Sequence, residues 1–240
     1  MSKVKIARKK WSAFSHPFKS FARRFTLVEV ENILIAWIVL SLAFAYVLDG
    51  GAVMSGGFIL VFVASAIVLG CGFIMHELMH KFTAQRYRYH AEFRIWVWGI
   101  LLAIITALIG FIFAAPGATY FEPDPREPYL DPKGFRERYG IISLAGPRIN
   151  IIFGFIFLGL FLLLNLFFSA VHSYLMVFGL LVTGLGSYIN FYLAAFNLIP
   201  INPLDGYKVI NWNKKIWITF FIIAVAMTII NFIYIVPAIF

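Results

Sequence analysis

The feature that most constrains this chain is a set of apolar runs long enough to cross a lipid bilayer. A hydrocarbon core needs roughly 20 consecutive apolar residues per helix, within a range of about 17–25. Five stretches meet that length: Asn32–Leu48, Phe58–His80, Tyr139–Phe168, Tyr174–Ile199 and Trp217–Phe240. A sixth, Ile95–Ala115, is also long enough, but Gly99 and Gly110 sit near its ends and Pro116-Gly117 closes it. Hydrophobic residues make up 62% of the 240 residues and charged residues only 13%. A chain of this size cannot hide that much apolar surface from water, so a soluble globular fold is excluded. A disulfide-stapled module is excluded as well, because Cys71 is the single cysteine.

The expected fold class is an all-α polytopic membrane protein with a membrane-embedded domain over residues 31–240. It has about five full transmembrane helices, a re-entrant or interfacial apolar segment over 95–115, and a short strand near 118–121. The polar insert Tyr120–Arg138 carries four prolines and reads as a loop. Residues 1–30 form a basic arm: Lys3, Lys5, Arg8, Lys9, Lys10, Lys19, Arg23 and Arg24 interleave with Trp11, Phe14, Phe18, Phe21 and Phe25. Aromatics at helical spacing among cations suit an amphipathic segment on the anionic lipids of a cytoplasmic membrane face. The plainer role, a cytoplasmic anchor, follows from the same charges. The net charge of +9 is thus a topology signal, and no nucleic-acid partner is expected.

Ionisable groups inside apolar spans are costly, and each one points to function. The spans and their ends hold His76, Glu77, His80, Arg148 and Asp205. His76-Glu77-Leu78-Met79-His80 is an H-E-x-x-H motif. Residues four apart share a helix face, so the two imidazoles can hold one metal ion. Glu77 then stands where a carboxylate can take a proton from metal-bound water. Zinc suits two imidazoles and one oxygen ligand with an open fourth position. Asp205, in Asn197-Leu-Ile-Pro-Ile-Asn-Pro-Leu-Asp205-Gly206, supplies a carboxylate after prolines that break the helix, with Gly206 permitting a tight turn. Ala145-Gly146-Pro147-Arg148-Ile149-Asn150 offers small residues for close helix approach and an amide inside the bundle.

Together these motifs resemble the site-2 protease family of intramembrane zinc metalloproteases (peptidase family M50). They extend from His76 to Gly206, and their combination is far more specific than any one alone. The resemblance implies one zinc ion per chain on His76, His80 and Asp205, with Glu77 as general base and Asn197 or Asn150 assisting at the scissile carbonyl. Pro116-Gly117-Ala118 is similar to the family's substrate-receiving strand. The implied partner is a transmembrane protein substrate, cut in or near its membrane helix. Arg148 departs from the family pattern, which places an apolar residue there. Alternatives from other classes are a transporter or metal-permeation protein, a different membrane zincin, and a catalytically inert scaffold. Oligomeric state does not follow from the sequence.

The metal site also sets the span count. His80 and Asp205 trail two different spans and must meet at one depth. If Ile95–Ala115 crossed the membrane, the two would lie on opposite faces. If it dips and returns, they meet. Charge points the same way, since five crossings keep the Lys and Arg residues of the arm and main loops on one side, while Asp49–Gly57 and Ser169–Ser173 have none. The N-terminus and the site opening are therefore expected on the cytoplasmic side, in a prokaryotic cell membrane. In a Cys71→Ser background, a cysteine at Ser169 should react with an impermeant thiol reagent added to intact cells, and one at Asn213 should not. Labelling at Asn213 from outside would sink the five-crossing topology.

Overall fold

The computed structural model describes residues 25–51, 56–168 and 173–240. The basic segment 1–24 and His172 lie outside the described residues. Among the described residues, five helices are long and apolar enough to span a membrane: Leu27–Leu48, Gly57–Arg86, Pro132–Phe167, Tyr174–Asn197 and Lys214–Ile239. The protein is an all-α polytopic membrane protein with a small sheet, as its apolar runs require.

In chain order, α1 is Leu27–Leu48, started by the Thr26 side chain accepting from Glu29 N–H. The second span comprises α2 (Gly56–Leu69), a π-helical turn over Gly70–Ile74, and α3 (Met75–Arg86). A six-residue strand, β1 (His90–Ile95), follows; its residues alternate polar and apolar, and Ala91 and Phe93 are buried. It pairs antiparallel with β2 (Gly117–Glu122). Between the strands lies α4 (Val97–Leu108). At 12 residues and about 1.5 Å per residue, α4 is too short for a core of about 30 Å. Trp96 N–H donates to Pro116 O at 2.9 Å, so the chain leaves and returns at one place. Hence Ile95–Ala115 is an excursion, and part of its length is strand and turn.

The insert after β2 is partly helical. It holds α5 (Glu127–Leu130) and the start of α6 (Pro132–Phe168), so the Ala145–Asn150 motif lies inside a 37-residue helix. The segment α7 (Tyr174–Asn197) and the short α8 (Asp205–Trp212) both pack against α6. The last span is α9 (Lys214–Ile230), a π-helical turn over Asn231–Ile235, and α10 (Val236–Ile239). The core between α1, α2, α4 and α7 is apolar, with Leu40, Leu69, Leu185 and Ile189 buried.

One charged contact ties these layers together. Lys81, at a position that reads as loop in the sequence, sits in the second span helix and is buried against Glu29 of α1. Glu29 also accepts from Phe93 N–H of β1 at 3.0 Å, and Lys81 Nζ lies 4.1 Å from the Phe25 ring centroid. A buried ion pair contributes little over an apolar pair, yet removing one partner strands the other charge. Lys81→Met should therefore lower unfolding stability in detergent by roughly 3–5 kcal/mol, and Glu29→Gln in the same chain should restore most of it. Equal denaturation midpoints for wild type and Lys81→Met would show that the pair is not structural.

Candidate metal centre

His76 and His80 project from one face of α3, and Asp205 opens α8 beside them. The Nε2 atoms of the two imidazoles are 3.0 Å apart. Asp205 Oδ2 lies 3.4 Å from His76 Nε2 and 3.1 Å from His80 Nε2. Among the described residues these three form a group whose ligand atoms lie within 4.8 Å of one another. Ligands about 2.0–2.1 Å from one tetrahedral ion are roughly 3.3 Å apart, which matches this triangle.

The protonation states follow from what stands behind each ring. His80 Nδ1 faces Ile142 O at 2.8 Å, and a carbonyl only accepts, so Nδ1 carries the proton. His76 Nδ1 faces Asn150 Oδ1 at 2.5 Å. That amide is oriented by its other end: Asn150 Nδ2 donates to Gly72 O at 3.1 Å and to Asn190 Oδ1 at 3.0 Å, and Asn190 Nδ2 donates to Gly186 O. His76 is therefore protonated at Nδ1 too. Both Nε2 lone pairs and a carboxylate oxygen point into one small space, an arrangement that repels itself until a cation enters. A carboxyl group ionises well below neutral pH, and Asp205 is the third donor of the triangle. It joins the site as an anion.

Gly146 shows where the ion would sit. A Cβ added there would lie 2.4 Å from His80 Nε2 and 2.5 Å from His76 Nε2. The missing methyl is the cradle. In the sequence Gly146 reads as a helix-packing residue; its use here emerges only when α6 is laid on α3. Gly206 also serves close approach, since a Cβ would lie 2.0 Å from Leu198 O. That carbonyl accepts from Trp217 Nε1 at 2.8 Å, pinning the turn that aims Asp205.

A cleft of about 380 Å³ opens onto the triangle, lined by Glu77, Trp96, Ala118, Thr119, Asn202 and Lys208 among others. Glu77 is buried at its edge, and its Oε2 accepts from Thr119 N–H at 2.9 Å and Thr119 Oγ1 at 2.8 Å. Asn197 lines the cleft with one amide hydrogen donated to Leu193 O, which leaves the second free for another acceptor. Asn150 is fully buried behind His76, and both of its amide hydrogens are committed. Arg148 is exposed on α6 and does not line the cleft. Lys208 stands 3.8 Å from Asp205 Oδ1. The roles of Thr119 and Lys208 carry no motif in the sequence; the pairing of α3 with β2 and the i,i+3 step from Asp205 reveal them.

A Methanocaldococcus jannaschii protein named "Putative zinc metalloprotease MJ0611" is 39% identical to this chain over 195 residues, 81% of this chain and 89% of its own length. The chain belongs to its zinc metalloprotease family. A Bacillus subtilis protein named "Putative zinc metalloprotease YwhC" is 31% identical over 162 residues, 60% of this chain and 66% of its own. No family model and no solved structure matches the chain. For a zinc metalloprotease, two neutral imidazoles and a carboxylate are a fitting donor set. The metal assignment makes Gly146→Ala informative, because its methyl group would occupy the ion's place. The variant should lose most of the zinc that copurifies with the wild-type chain while its helical circular dichroism is unchanged. Undiminished zinc content would show that the ion lies elsewhere.

Proposed function

We propose that this zinc metalloprotease is an intramembrane endopeptidase of the site-2 type, hydrolysing peptide bonds in or near the transmembrane helices of membrane proteins. The single observation that carries the reading is the metal triangle with Glu77 beside it, at the cleft end of helices that span the membrane. When bound, zinc supplies Lewis acidity to the scissile carbonyl and to water. Glu77 takes a proton from the attacking water and returns it to the leaving amide nitrogen, a role its place at the cleft edge suits. The second amide hydrogen of Asn197 is available to the carbonyl oxygen as negative charge develops there. Asn150 acts behind the ligand, holding His76 in the tautomer that turns Nε2 inward.

A substrate helix must unwind before its carbonyl can be reached. The open edge of β2 offers such a segment backbone partners by strand addition, in place of those lost from the helix. The positive-inside pattern supports a cytoplasmic N-terminus and cleft, with the basic arm on anionic lipid. Both relatives come from prokaryotes, which supports a prokaryotic cell membrane as the setting. Glu77→Gln should retain zinc while cleavage of a single-span substrate in proteoliposomes falls by about 10²–10⁴-fold. Turnover near the wild-type rate would remove Glu77 from the mechanism.

A further inference from the structure

Strand β2 has one edge paired with β1 and one edge turned to the cleft. Opposed residues in an antiparallel pair alternate between exchanging both hydrogen bonds and exchanging none. Thr119 opposes Phe93, and both amides point outward, Phe93 N–H to Glu29 and Thr119 N–H to Glu77. The Thr119 N–H therefore belongs to the open edge. A peptide adding to β2 beside the metal ligands has to meet that donor, and Glu77 already holds it. The Thr119 hydroxyl reaches the same carboxylate oxygen at 2.8 Å and Glu77 O at 3.2 Å. One residue thus aims two donors at the general base, of which an incoming strand competes for one.

Resting on the proteolytic reading above, we propose that Thr119 positions Glu77 and couples it to substrate. A substrate strand pairing with β2 takes the Thr119 N–H from Glu77, while the Thr119 hydroxyl keeps the carboxylate beside the cleft. The amide exchanges one acceptor for another and is never left unpaired. Glu77 Oε2 goes from two donors to one, which frees a lone pair on it and makes the carboxylate a stronger base toward the attacking water. Until a strand arrives, the base is held against β2. A buried threonine that only fills space under the sheet would be replaced equally well by valine, which has the same shape.

The test uses the full zinc-loaded chain and one single-span substrate. For Thr119→Val, kcat should fall about ten- to a hundredfold, the worth of one hydrogen bond to a charged group, with KM within about twofold and zinc content unchanged. Thr119→Ser should return kcat close to wild type. A second arm reads binding without turnover, in Glu77→Ala and Glu77→Gln chains titrated with the uncut substrate by fluorescence anisotropy. Glutamine can still accept from the Thr119 N–H and alanine cannot, so the alanine chain should bind about three- to tenfold more tightly. Wild-type kcat in Thr119→Val, a loss that serine does not restore, or equal binding by the two Glu77 variants would overturn the proposal. A wild-type chain that cuts no membrane substrate would overturn the proteolytic reading instead, and the binding comparison would still decide the hand-over at Thr119.

Discussion

Two imidazole nitrogens and a carboxylate oxygen, each offering a lone pair, stand 3.0–3.4 Å apart in a buried setting. Nothing in an apolar bundle tolerates that convergence without a positive charge at its centre. Much of the architecture can be read as the means of imposing it. Asn150 and Ile142 O hold the rings from behind, Gly146 leaves the space, and the turn pinned by Trp217 delivers Asp205. The π-helical turn at Gly70–Ile74 lies just before His76, and it is Gly72 O within it that accepts from Asn150. Interruptions of the regular helix ladder are common at functional sites because they free backbone groups for such use.

The small sheet depends on buried charge in a related way. A two-stranded ribbon is marginal on its own. Here each outward amide of the Phe93–Thr119 pair meets a carboxylate, Glu29 on one side and Glu77 on the other. Glu29 is neutralised by Lys81, which lies four residues after Glu77 on α3. Helix α3 thus reaches one edge of the ribbon directly, through Glu77, and the other through the pairing of Lys81 with Glu29 of α1. A displacement of β2 would be felt at Glu77.

The candidate metal triad is legible in the sequence because each of its residues announces itself locally. His76 and His80 have helical spacing, and Asp205 is an acid between helix-breaking prolines and a glycine. Span number was legible too, through length, charge and the requirement that His80 and Asp205 meet. Other features were hidden because their meaning is non-local. Lys81 reads as a loop cation until Glu29, 52 residues away, is seen beside it. β1 is the exception, a local signal: His90–Ile95 alternates polar and apolar residues, but over only six positions in a charged stretch. Asn150 reads as a cleft residue until its amide hydrogens are found committed to Gly72 and Asn190.

By itself the sequence determined the solvent, the number of apolar spans and the candidate donor set, since these depend on segment length, charge and side-chain chemistry. Tertiary structure alone decided what space the candidate ligands enclose and what holds Glu77. Both depend on contacts between segments far apart in the chain: α6 against α3 at Gly146, and β2 against α3 at Thr119. No periodicity within one segment can report which face of another will be pressed against it.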